Sequence, residues 1–130
     1  MVSPQEARAF CDRWLPTWTG GDATALLEFY APDALYADPS VPAGVTGDAL
    51  REHLTALLAA NPRWVWTHTG SVPMEGGFVN RWHATWPLRD RVAEVDGICL
   101  VWLRDGLIVR NEVFFDRLGL TRPRPAAPTG

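Results

Sequence analysis

The sequence predicts an α+β fold: three N-terminal helices packed on a curved antiparallel sheet, which leaves a cone-shaped pocket between the two layers. Three observations carry this. Apolar residues recur at helical spacing as far as Ala60, and from Arg63 onward the pattern changes to strand-like segments separated by turn signals. A chain of 130 residues with 47% hydrophobic content is also long enough for one domain with a real core, and nothing marks a second.

The elements follow in order. Ser3 is a good N-cap, Pro4 suits the first helical position and Glu6 completes a capping box, so a helix starts at Pro4 and runs to about Thr17. Ala7, Phe10, Cys11 and Trp14 form its buried stripe, which Trp18 continues. Pro16 removes a backbone donor and should kink or end the last turn. Gly20-Gly21 breaks the chain, and Asp22 caps a second short helix reaching Tyr30. After the Pro32 turn a short strand carries Tyr36 and Asp38. A third helix spans Gly47 or Asp48 to Ala60, with Leu50, Leu54, Leu57 and Leu58 inward, and Asn61-Pro62 stops it. Four strands are expected over 64–72, 77–87, 92–103 and 107–115, with Asp105-Gly106 a strong hairpin signal. One domain is expected over 1–121 and a loose tail over 122–130.

Composition excludes several classes of function. A net charge of −3 gives no electrostatic footprint for nucleic acid. No apolar run reaches membrane-spanning length, and Glu6, Arg8, Asp12 and Arg13 interrupt any signal-peptide core, so a cytoplasmic protein is expected. All twelve basic residues are arginine, which rules out a Schiff-base or phosphate-loop lysine and suggests a GC-rich bacterial genome. Cys11 and Cys99 are far apart and read as core thiols. His53, His68 and His83 show no metal-ligand spacing, so neither a metal nor a cofactor is expected.

The candidate chemistry begins at Tyr36 and Asp38. Alternate strand residues share a face, so a carboxylate and a phenol stand side by side against apolar surroundings, an arrangement suited to proton transfer. The competing reading of Asp38 is a solvated residue before the Pro39 turn. By the same alternation Arg81, His83 and Thr85 share a face, as do Asn111, Val113 and Phe115. Histidine suits a proton shuttle at neutral pH, whereas Arg81 is either an oxyanion donor or an ion-pair partner that weakens Asp38 as a base. Trp14, Trp18 and Phe10, with Phe29 and Phe115, offer an aromatic wall for a flat, polycyclic or terpenoid ligand. Trp64, Trp66 and Trp102 are expected on the outer sheet face, where they favour a homodimer. His53 and His68 read as structural.

The segments Trp18-Thr19-Gly20-Gly21-Asp22, Ala25 to Ala34, Tyr36-Ala37-Asp38-Pro39, Gly47 to Arg51, and Leu103 to Val109 with Phe114-Phe115-Asp116 resemble the nuclear transport factor 2-like superfamily. The likeness is to its SnoaL-like and ketosteroid isomerase-like members and covers about residues 6 to 118. It implies a cone-shaped α+β barrel with Arg81 and His83 inward and Asp38 where the isomerases carry their general base. Trp14 then stands at their oxyanion-hole tyrosine and Cys99 close to their protonated aspartic acid. A partial resemblance to limonene epoxide hydrolases places Asp38 at their water-positioning asparagine, Arg81-Trp82-His83 at their Arg-x-Asp and Val113 at their remaining aspartate.

The expected function is cofactor-independent isomerisation, cyclisation or dehydration of an apolar polyketide- or terpenoid-like metabolite. Asp38 is base, His83 acid or relay, and Tyr36 and Arg81 oxyanion donors; Trp14, Trp18, Phe10, Cys99, Asn111, Val113 and Phe115 contact substrate. Epoxide hydrolysis and a non-catalytic binding or dimerisation module are the alternatives.

Overall fold

The computed structural model of the chain describes residues 1–117. Helix α1 covers Pro4–Trp14 and tightens into a 3-10 turn over Leu15–Trp18; α2 is one turn, Thr24–Leu27. Strands β1 (Tyr30–Asp38) and β2 (Val41–Thr46) precede α3 (Gly47–Ala60), and β3 (Val65–Met74), β4 (Gly77–Pro87), β5 (Val92–Arg104) and β6 (Leu107–Phe115) follow it. The start of α1 has the expected capping box: Glu6 N–H donates to Ser3 Oγ at 3.1 Å and Ser3 N–H to Glu6 Oε1 at 3.2 Å. Pro16 lies in the 3-10 turn, which ends the helix as its missing donor requires. The tail expected over residues 122–130 lies outside the described residues.

The sheet is curved and unclosed, with strand order β2-β1-β6-β5-β4-β3. It is not wholly antiparallel, because β1 runs parallel to β6. Two local features depart from expectation. The second helix ends at Leu27, and β1 begins at Tyr30 and passes through Pro32, where its pairing to β6 is interrupted between Tyr30 and Leu35. A proline without N–H is tolerated where the ladder is broken. Strand β2 had no counterpart in the sequence reading, because Pro42 and Gly44 look like turn residues; it is an edge strand, where a missing ladder donor is also tolerated.

The inner face of the sheet packs on the helices. Leu50, Leu54 and Leu58 of α3 and Ala7, Phe10, Cys11 and Trp14 of α1 are buried against it. On β4 the inward residues are Phe78, Asn80, Trp82, Ala84 and Trp86. Trp82 can lie flat across β5 because its partner there is Gly97: a Cβ at that position would fall 2.3 Å from Trp82 Cζ2. Asp105 and Gly106 take positive φ angles of 53° and 80° and close the β5–β6 hairpin. Among the described residues no helix is long and apolar enough to cross a membrane.

Candidate functional site

Tyr36 and Asp38 close β1 and point the same way into the mouth of the cone. The Tyr36 hydroxyl donates to Asp38 Oδ2 at 2.8 Å. The turn that follows wraps the other oxygen: Ser40 N–H donates to Oδ1 at 2.7 Å, Val41 N–H at 3.2 Å, and the Ser40 hydroxyl donates to it as well. From α3, His53 Nε2 lies 3.1 Å from Oδ2. An ionised carboxylate can only accept, so Nε2 carries the hydrogen of that bond, and in the neutral ring Nδ1 keeps the lone pair. The Tyr36 and His53 rings lie 5.6 Å apart, which locks both about the carboxylate.

Asp38 is buried, and burial alone would raise its pKa. The hydrogen bonds from the Ser40 and His53 side chains, the Tyr36 phenol and the Ser40 backbone outweigh that penalty and hold it below the ordinary carboxylate range. For Tyr36, burial and then the adjacent Asp38 charge push the phenol well above its usual value. At neutral pH the pair is therefore a carboxylate anion beside a neutral phenol.

Both groups border a cavity of about 220 Å³. Trp18, Trp64, Trp66, Trp86 and Phe115 wall it, with Leu57 from α3, Asn61 just beyond its end, Val113 from β6 and Ser40 at the turn. The rings meet edge to face: Trp66 on Trp82 at 4.6 Å, Trp66 on Trp86 at 5.2 Å and Trp86 on Phe115 at 4.9 Å. The indole N–H groups of Trp66, Trp82 and Trp86 are buried without a hydrogen-bond partner among the described residues, and this packing of edges onto faces gives them aromatic surroundings instead.

Several expected site residues are elsewhere. Arg81 and His83 project from the opposite face of β4. Arg81 is exposed, and His83 sits between Asp96, 2.9 Å from Nδ1, and Glu94, 3.4 Å from Nε2. The Asp96 hydrogen bond is the main cause of the raised His83 pKa. Alternation explains the reversal: putting Arg81 and His83 inside would have turned Phe78, Trp82 and Trp86 to solvent. An Arg81–Asp38 ion pair is ruled out by the same geometry. Trp64 and Trp66, expected outside, line the cavity.

Of the substrate-contact candidates, Trp18, Val113 and Phe115 border the cavity. Trp14 and Phe10 lie outside its lining, packed together at 5.7 Å in the core. Cys99 and Asn111 belong to buried polar contacts. His68 Nδ1 is 2.6 Å from Asn80 Oδ1, Asn80 Nδ2 donates to Cys99 Sγ at 3.4 Å, and the Tyr30 hydroxyl donates to Asn111 Oδ1 at 2.9 Å. Burial pushes the Cys99 thiol up to about 12 and raises Cys11 as well, and both cysteines are free. Neither is a thiolate at neutral pH.

His53, Ser40, Leu57 and Trp86 were missed as site residues. For His53 a signal existed: it stands three residues after Leu50 and four before Leu57, on the flank of the buried stripe of α3. No group of three or more histidine, cysteine or acidic side chains that could hold a metal occurs among the described residues.

A helix-covered, open curved sheet around an apolar cone is the architecture of nuclear transport factor 2-like and ketosteroid isomerase-like proteins. Within that class the chain belongs to the SnoaL-like domain family, whose profile matches residues 11–111. Solved structures agree on the fold. A protein named as a SnoaL-like polyketide cyclase from Jannaschia sp. CCS1 superposes with a TM-score of 0.74 at 17% identity, over 96% of this chain and 95% of that one. AclR from Streptomyces galilaeus, named as a hydroxylase, gives 0.71 at 15% identity over 91% and 94%. A protein with a ketosteroid isomerase-like fold from Catenulispora acidiphila DSM 44928, in complex with trimethylamine, gives 0.69 at 20% identity over 81% and 83%. No curated protein matches the chain.

Proposed function

We propose that this chain is a small-molecule enzyme that moves a proton next to a carbonyl group, so as to isomerise, cyclise or dehydrate a flat apolar metabolite of polyketide or terpenoid type. The observation that carries the reading is the buried Asp38 anion on the wall of an aromatic cavity. Asp38 takes a proton from the carbon beside the carbonyl, the C–H electron pair becomes the carbon–carbon double bond of an enolate as the carbonyl π pair moves onto oxygen, and the protonated Asp38 then gives the proton back to the product. Tyr36, a neutral phenol at Oδ2, and His53, a donor to the same oxygen, set the basicity of the carboxylate. The tryptophan walls hold the ring system and exclude water.

Epoxide hydrolysis fits less well. It would need further charged partners from β4 and β6, but Arg81 and His83 face outward and Val113 is apolar; Asp38 is the one carboxylate among the described residues lining the cavity. The names of the cyclase and hydroxylase neighbours suit catalysis over simple binding, and a non-catalytic module would tolerate loss of the Asp38 charge. The test is exchange of the acidic carbon-bound protons of β-tetralone in deuterium oxide, followed by NMR, with the wild type against Asp38→Asn. Acceleration by the wild type alone supports the reading, and equal exchange by both sinks it.

We also propose a homodimer through the outer sheet face. The supporting feature is no longer Trp64 and Trp66 but the exposed Ile98 and Phe114, aligned in register on β5 and β6, with the partly exposed Leu100 and Trp102 nearby.

A further inference from the structure

Five donors converge on the Asp38 carboxylate: the Tyr36 hydroxyl and His53 Nε2 on Oδ2, and Ser40 N–H, Ser40 O–H and Val41 N–H on Oδ1. A carboxylate offers only about four lone-pair positions, two on each oxygen, and the four closer donors already fill them, Val41 N–H being the longest contact at 3.2 Å. Asp38 is thus saturated in the free protein, and no lone pair is left to receive a substrate proton. One donor has to leave before the group can act as a base.

The donors are not equally free to leave. The Ser40 and Val41 N–H groups are fixed by the backbone of the β1–β2 turn, and Tyr36 is fully packed in the core. His53 is anchored on α3. The Ser40 hydroxyl turns freely on a residue that is exposed and also borders the cavity, whereas the Tyr36 hydroxyl is buried and would turn away from its partner without water to replace it. The lost Ser40 hydroxyl bond is replaced by one to water at small net cost. The backbone N–H of the same residue continues to hold Oδ1 when the hydroxyl swings away.

We propose that the Ser40 hydroxyl is a latch on the catalytic carboxylate, displaced from Oδ1 by an incoming substrate that presents an acidic C–H, enol or phenol O–H group to that oxygen. The inference rests on the reading of Asp38 as general base and names the kind of group that reading requires at Oδ1. The latch keeps the anion satisfied while the cavity is empty and selects for ligands that bring their own donor. A ligand lacking one leaves the latch closed. Ser40 is a positioning residue here, acting through Asp38.

The test uses β-tetralone exchange in deuterium oxide near neutral pH with wild type, Ser40→Ala, Ser40→Thr and Asp38→Asn, together with NMR titration of the Asp38 carboxyl carbon. Ser40→Ala keeps the backbone donor and removes only the latch, so exchange should rise about tenfold, of the order expected from one hydrogen bond to a charged group. The Asp38 titration should move to higher pH at the same time. Ser40→Thr restores the hydroxyl and should return both readouts toward wild type. Exchange in Ser40→Ala that is equal to or slower than wild type, while Asp38→Asn abolishes it, overturns the latch and leaves the base intact. An Asp38 titration unmoved in Ser40→Ala also overturns it, independently of any substrate. Undiminished exchange in Asp38→Asn is the separate result that removes the base itself.

Discussion

His53 Nε2 stands 3.1 Å from Asp38 Oδ2, the oxygen that the Ser40 turn leaves untouched, so helix α3 and the β1–β2 turn grip the carboxylate from two sides. A donor to the charged form favours that form. Replacing His53 by leucine removes one of the groups that hold the Asp38 pKa down. The acid limb of the pH–rate profile should then move to higher pH, with the plateau above it retained. A limb that stays in place would show that His53 contributes packing alone, and the measurement is rate against pH for the two proteins under identical salt.

Asp38→Asn should lower turnover by about 10²–10⁴-fold, the usual cost of a missing general base. The fold should persist, because the asparagine oxygen still accepts from the Ser40 turn, the Tyr36 hydroxyl can rotate and His53 can switch tautomer to accept from the new amide. Acid stability supplies a second readout. The folded Asp38 pKa is lowered, so its contribution is fully present above the unfolded value of about 3.9 and is lost as pH falls through the lower folded value. Wild type should therefore lose stability more steeply below about pH 4 than Asp38→Asn, as read by denaturant titration at stepped pH.

Most of the fold was legible because its elements carry strong periodicity. The capping box at Ser3, the leucine stripe of α3 and the hairpin at Asp105-Gly106 each specify local structure without help from distant contacts. Strand β2 was not legible, since Pro42 and Gly44 are acceptable only once the strand is known to be an edge. At the site, the Tyr36–Asp38 pair followed from alternation along a single strand. The error over Arg81 and His83 came from giving the resemblance precedence over the pattern of Phe78, Trp82, Ala84 and Trp86, which already assigned the inner face of β4. His53 reaches Asp38 from a different element, fifteen residues away, and such a pairing depends on how α3 packs on β1.

Gly97→Ala should disturb the cavity from behind. Its new Cβ would meet Trp82 at 2.3 Å and the Phe114 carbonyl oxygen at 2.7 Å, and backbone on one side leaves only the indole to move. Trp82 packs on Trp66 and Phe115, both cavity-lining, so its shift passes into the walls. Overpacking of this kind costs about 1–3 kcal/mol. The expected result is a lower unfolding midpoint together with a changed tryptophan fluorescence spectrum; a variant as stable as wild type would mean that the sheet yields there without cost.

The outer face of the sheet gives the last prediction. Ile98 and Phe114 are exposed neighbours in the β5–β6 ladder, and Arg81 lies opposite Ile98 on β4, so a hydrophobic centre is bordered by charge in the way interface cores are. Sedimentation of the 14.4 kDa chain at tens of micromolar should give twice that mass, since interfaces of standard size normally hold at such concentrations. Phe114→Glu should convert it to monomer by placing a charge where the apolar surfaces meet. Because Phe114 points away from the cavity while Val113 and Phe115 point into it, the variant should keep its fold and its exchange activity. A wild-type monomer would refute this assembly, and a Phe114→Glu variant that remains dimeric would move the interface to another surface.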